Sequence, residues 1–195
     1  MTRMKETIQS ISIDLFYQKG YFATSISDIA RGCGIQKASI YYHFSSKEEL
    51  LFQIMSHTMS DLVSLLKESL VQADPIDQRM RVAVRTHVQF HLHRQKENFI
   101  ANSELRGLSE EHYRSIVALR DEYESIFQAL IREGRDNGAF VAVDVRILSY
   151  AILNLCTSGA FWYNPGGRLA VEDIAAIYEN FIIAGLQNGT LRPPV

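Results

Sequence analysis

Between Lys37 and Lys47 the chain reads K-A-S-I-Y-Y-H-F-S-S-K, which puts two cations, two tyrosines and a histidine on a segment too short to build its own core. Lysine reaches guanine O6 and N7, and lysine, serine and tyrosine all pair with phosphate oxygens. Ile40 and Phe44 stand four apart, so a helix would carry them on one apolar edge. Lys37, Ala38, Ser39, Tyr41 and Tyr42 are then left outside that edge, where they could meet phosphates or bases. A second concentration of chemistry is His87-x-x-x-His91, followed by His93. The i,i+4 spacing puts two imidazoles on one helical face, as a zinc site requires. No H-E-x-x-H is present, no cysteine is near, and Asn98 and Glu104 complete such a site poorly. A buried or pocket-lining histidine pair is the better reading, and no metal or cofactor is expected. The chain has no G-x-S-x-G, Walker A loop or nucleophile–base pair, so no catalysis is expected.

Those residues must be positioned by a chain of 195 residues with net charge −2. Such a chain is not a polycation, so binding to nucleic acid has to rest on a local surface. Residues 1–50 carry six basic against five acidic side chains, and the remainder 14 against 17. Cys33 and Cys156 form no C-x-x-C pair and read as small buried hydrophobes. The start MTRMKETIQSI is amphipathic and lacks the apolar run of a secretory leader, which predicts a cytoplasmic protein. The longest uncharged stretch, residues 147–167, contains Ser149, Asn154, Thr157, Ser158, Asn164 and Pro165. So many polar groups suit a buried helix better than a membrane span, and no membrane partner is expected.

Apolar residues recur at helical spacing throughout, and no alternating strand pattern stands out. Helices are expected over 4–19, 26–33 and 37–44, then from the Ser46/Glu49 pair to about 71. Others are expected over 76–94, 97–106, 109–136, 145–163 and 169–188, with a tail at 189–195. Gly20, Gly34 and Gly138 are placed to end helices in the left-handed conformation. Ser25 with Asp28, and Ser46 with Glu49, are spaced as capping boxes. The fold class is therefore all-α. Two short helices joined at Gly34 have the form of a helix-turn-helix, whose second helix enters the major groove.

The run T-S-I-S-D-I-A-x-x-C-G-I-Q-K-A-S-I-Y-Y-H-F-S-S-K-E-E-L-L, from Thr24 to Leu51, resembles the N-terminal domain of TetR-type (TetR/AcrR-family) transcriptional repressors. Leu15-Phe16 through Gly20-Tyr21 extend the likeness upstream. The resemblance implies a three-helix DNA-binding domain at 1–47 and a helical effector-binding and dimerisation domain at 48–195. By position, Lys37, Ala38 and Tyr41 would touch bases. Tyr42, His43 and Lys47 would meet phosphates, with Thr24 and Ser27 approaching the backbone from the first helix and Ser27 placed to reach a base. Gln36 departs from the serine common at its position and leaves the second helix less well capped.

The resemblance further implies a homodimer on palindromic double-stranded operator DNA and a small-molecule effector. Helices 145–163 and 169–188 would form the dimer face. The segment A-F-W-Y-N-P-G-G at 160–167 resembles a subgroup that governs fatty-acid, phenylacetate or steroid catabolism and senses acyl-CoA thioesters. Candidate effector contacts are His87, Phe90, His91, Leu105, Tyr123, Phe127, Leu155 and Trp162. Arg94, Arg106, Arg114 and Arg120 are candidate anion partners. Two alternatives stay open: a regulator of efflux or stress genes that senses a hydrophobic drug-like ligand, and a DNA-binding protein with no effector.

Overall fold

The structure, a computed structural model, describes residues 2–71, 75–141 and 144–188, so the expected tail at 189–195 lies outside the described residues. The described residues form helices α1 (Thr2–Lys19), α2 (Ile26–Cys33), α3 (Lys37–His43), α4 (Lys47–Leu70) and α5 (Ile76–His93). They continue through α6 (Gln95–Ser103), α7 (Glu110–Asp136), α8 (Val145–Trp162) and α9 (Val171–Asn188). The all-α expectation is met. One expected helix is divided: α6 stops at Ser103, and Leu105–Gly107 form a separate 3-10 turn.

Local signals set most helix ends. Ser25 caps α2, accepting from the Asp28 N–H, and the Asp28 side chain returns the bond to the Ser25 backbone. Gly34 ends α2 at φ 67°, and Gly20 and Gly138 are also left-handed, a conformation costly for residues with a Cβ. Asp144 accepts from the N–H groups of Arg146 and Ile147 and opens α8. The Ser46/Glu49 box forms only by half. The Glu49 N–H donates to Ser46 Oγ, but the Glu49 carboxylate is taken by Gln53 one turn on.

Packing divides the chain into two compact units: residues 1–60 with 95–119, and residues 61–94 with 120–195. The first unit is thus larger than the 1–47 segment expected to read DNA. Three short helices alone bury too little apolar surface to be stable. Leu50, Leu51, Ile54 and Met55 of α4, Ile100 of α6 and Ile116 of α7 complete a core with Ile8, Phe16, Ile29, Ile40 and Phe44.

In the second unit α5 packs against both α8 and α9. Glu179 of α9, itself buried, binds Arg81 at 3.0 Å and Arg85 at 2.6 Å, both from α5. Gly134 in the last turn of α7 lies under the ring of Phe140, which a Cβ there would meet at 2.0 Å. Alanine favours an isolated helix over glycine by about 1 kcal/mol, yet overpacking costs about 1–3 kcal/mol. Gly134→Ala is therefore expected to lower the urea midpoint of unfolding, the opposite of what helix propensity alone gives.

Candidate nucleic-acid interface and effector site

The candidate recognition surface is built by burying one edge of α3. Ile40 is fully buried and Phe44 nearly so, and both belong to the core of the first unit. This pins a helix of seven residues whose first turn has no help from Gln36, which makes no side-chain capping bond. The opposite edge stays outside: Lys37, Ala38, Tyr41 and Tyr42 are exposed, and Ser39 and His43 half-buried. Tyr41 is 48% exposed, and the Lys37 ammonium lies 5.9 Å from its ring centre. Tyr42 meets the His43 ring edge to face at 5.0 Å. Ser27 on α2 is exposed. The structure thus brings Ser27 and the α3 group together on one unit.

Two residues expected at phosphates make bonds within the first unit. Thr24 is buried, and its hydroxyl donates to Gly20 O at 2.9 Å and Leu15 O at 3.3 Å. A side chain turned inward to satisfy carbonyls has no hydrogen left for a phosphate. The Lys47 ammonium donates to Tyr21 O and Thr24 O, both at 2.9 Å, and sits 4.1 Å over the Tyr21 ring. Burial pushes its pKa down, against the pull of Glu104. Glu104 in turn accepts from the Tyr21 N–H. Lys47 and Glu104 therefore clamp the turn between α1 and α2. Nothing in the sequence pattern shows Glu104 reaching residue 21, because 83 positions separate them.

The second unit gathers the histidines around one polar cluster. His87 Nδ1 lies 2.9 Å from Tyr123 Oη, and His87 Nε2 lies 3.0 Å from Thr157 Oγ1. His91 stacks on His87 at 4.1 Å, and its Nδ1–H donates to the His87 carbonyl at 2.9 Å. Phe127 meets His87 edge to face, and Phe90 does the same to His91. Burial holds His87 well below the usual histidine range, and the neighbouring His91 adds to this. Burial also lowers His91 to about 4 and raises the Cys156 thiol to about 12. Burial raises the Tyr123 phenol as well, with Cys156 contributing. The cluster is therefore uncharged at neutral pH. Among the described residues no group of three or more His, Cys, Asp or Glu side chains is placed to hold a metal ion.

The other expected effector contacts are dispersed. Leu105 packs on the core of the first unit, and Arg106 is exposed there. Arg120 is half-buried in the second unit. Arg94 is paired with Asp61 at 2.7 Å, and Arg114 with Glu110 at 2.9 Å. Leu155 and Trp162 are exposed on α8, Trp162 to 57%. The expectation that α8 is a buried helix is thus half right. Ser149, Ile152, Cys156, Gly159 and Ala160 face inward, while Ile147 and Phe161 also stand out in solvent. Thr157, absent from the expected contacts, joins the cluster because α8 lays it against α5 70 positions away. No helix among the described residues is long and apolar enough to cross a membrane.

The fold recurs in known proteins. The chain is 26% identical over 180 residues to the HTH-type transcriptional repressor KstR2 of Rhodococcus jostii, spanning 90% of this chain and 87% of that one. Its fold matches that of the regulator PfmR from Thermus thermophilus with a TM-score of 0.85 at 31% identity, over 93% and 99% of the two chains. It matches AibR, solved with isovaleryl coenzyme A and operator DNA, with a TM-score of 0.82 at 23% identity, over 94% and 98%. Residues 11–54 match the family described as bacterial regulatory proteins, tetR family. Residues 73–186 match the tetracyclin repressor-like C-terminal domain. With its first helices matched by the N-terminal family and more than half of its length matched by that C-terminal domain, the chain belongs to the TetR family of transcriptional regulators.

Proposed function

We propose that the protein is a homodimeric repressor that binds a palindromic operator through α3 and is released by a small-molecule effector, an acyl-CoA thioester. The observation that carries the DNA reading is α3 itself, anchored by Ile40 and Phe44 and presenting Lys37, Ala38 and Tyr41 to solvent. Ser27, Tyr42 and His43 would add phosphate contacts, which position the protein without reading sequence.

The dimer reading is supported by an apolar face on the second unit. Ile147, Phe161 and Trp162 of α8 are exposed, as are Ile177 and Phe181 of α9. Exposed large apolar side chains grouped in this way favour a protein partner. A second copy would place two reading helices about 34–36 Å apart, one helical turn of DNA. Phe181 is 68% exposed, and Phe181→Glu is expected to give a monomer by light scattering with unchanged helical content. A stable dimer of that variant would remove α9 from the interface.

The effector reading is supported by the buried cluster of α5, α7 and α8 and by the ligand of AibR. Helix α4 starts four residues after α3 ends and continues among residues of the second unit. A ligand that favours one arrangement of that unit therefore has a continuous helix to act through, provided the two arrangements bind it unequally. The test is a mobility shift on DNA from the protein's own promoter, with isovaleryl-CoA and straight-chain acyl-CoAs of several lengths. Release by one of them is the expected result, and retention with all of them removes the acyl-thioester reading. A neutral drug-like effector is the second reading. It is favoured by the engagement of Arg94 and Arg114 with carboxylates, which leaves less positive charge for the phosphates of coenzyme A.

A further inference from the structure

We infer that the Tyr123–His87–Thr157 cluster is the seat of an uncharged carbonyl oxygen of the effector, the thioester carbonyl in an acyl-CoA. The inference rests on the acyl-thioester reading above and adds which atom is held and by what. It follows from counting hydrogens. Tyr123 brings one hydroxyl hydrogen, neutral His87 one ring N–H, and Thr157 one hydroxyl hydrogen. Two hydrogen bonds join the three groups, at 2.9 and 3.0 Å, and each uses one hydrogen. One hydrogen is always left at an end.

If His87 carries its proton on Nδ1, that proton goes to Tyr123 Oη and Thr157 donates to Nε2. The phenolic hydrogen is then unplaced. If the proton is on Nε2 it goes to Thr157 Oγ1, Tyr123 donates to Nδ1, and the threonine hydrogen is unplaced. Neither hydroxyl has a further acceptor among the described residues. The cluster therefore always offers one donor, and the tautomer selects the end. On the same wall, one heptad before Cys156 on α8, the buried Ser149 hydroxyl also has no partner. A buried donor left unmade is costly, so a ligand acceptor stabilises the site.

The surroundings limit what that acceptor is. Phe90 and Phe127 pack on the histidines, which suits a hydrocarbon chain beside the polar atom. The groups that act electrostatically on His87 and Tyr123 are His91 and Cys156. Neither is cationic at neutral pH, so a carboxylate would enter without a counter-charge, at high cost. A carbonyl needs one donor and no charge.

The experiment compares octanoyl-CoA with S-octyl-CoA, a thioether lacking only the carbonyl oxygen, by titration calorimetry on the full-length protein. The wild type is expected to bind the thioester about tenfold more tightly, as one satisfied hydrogen bond gives. In Tyr123→Phe/His87→Leu/Thr157→Val, which removes all three hydrogens of the cluster, and in which circular dichroism should match the parent, the two ligands are expected to bind alike. Equal binding by the wild type, or a preference that survives in the triple variant, overturns this inference and leaves the acyl-thioester reading standing. Failure of both ligands to bind removes both readings.

Discussion

Tyr41→Ala is expected to remove operator binding while leaving the fold and the dimer intact. A base contact contributes about 1–3 kcal/mol of discrimination, and a dimer on a palindrome makes it twice. The combined loss of about 2–6 kcal/mol is about 30-fold to 25,000-fold in affinity, enough to erase a mobility shift at concentrations where the parent just saturates. Tyr41 is half-exposed and its recorded partner is the Lys37 ammonium, so truncation opens no cavity. Circular dichroism and light scattering should therefore match the parent. Because the lost contact is to a base, the salt dependence of whatever binding remains should stay unchanged, whereas removing a phosphate contact lowers it. A variant that shifts operator normally would take α3 out of the reading role.

Acid should unfold the second unit earlier than its ion pairs alone would bring about. His91 is neutral in the folded protein down to about pH 4, while an unfolded histidine takes its proton near 6.5. The unfolded state thus binds more protons between those values, and stability falls as pH falls. It is fully present above about 6.5 and declines down to about 4. For His91 this amounts to about 3 kcal/mol, from about 1.4 kcal/mol per pH unit. His87 is shifted in the same direction and steepens the decline. Urea unfolding at fixed protein concentration, between pH 7 and pH 4.5, measures the slope. His91→Gln is expected to reduce it by about 1.4 kcal/mol per pH unit. An unchanged slope would mean that His91 is protonated in the folded protein at an ordinary pH.

The two predictions concern sites of unequal legibility. The α3 surface was readable because everything that makes it lies within a few residues. Ile40 and Phe44 define the buried edge by their spacing, and Gly34 closes the preceding turn in a conformation glycine favours. The cap at Ser25 was readable for the same reason: donor and acceptor are three residues apart. The buried histidine cluster was readable only in part. The His87/His91 pair announces itself at i,i+4, but its partners come from α7 and α8, at separations of 36 and 70 residues.

By itself, then, the sequence determined the all-α class, most of the helix ends, the short helix α3 with its buried edge, and the family, since each rests on local spacing or a contiguous motif. Tertiary structure alone showed that Lys47 and Thr24 bond to carbonyls of the α1–α2 turn, which lie up to 26 positions away in sequence. It decided that Trp162 stands in solvent and Thr157 within reach of His87. An apolar helix has two faces, and only the packing of α5 against α8 settles which one is covered.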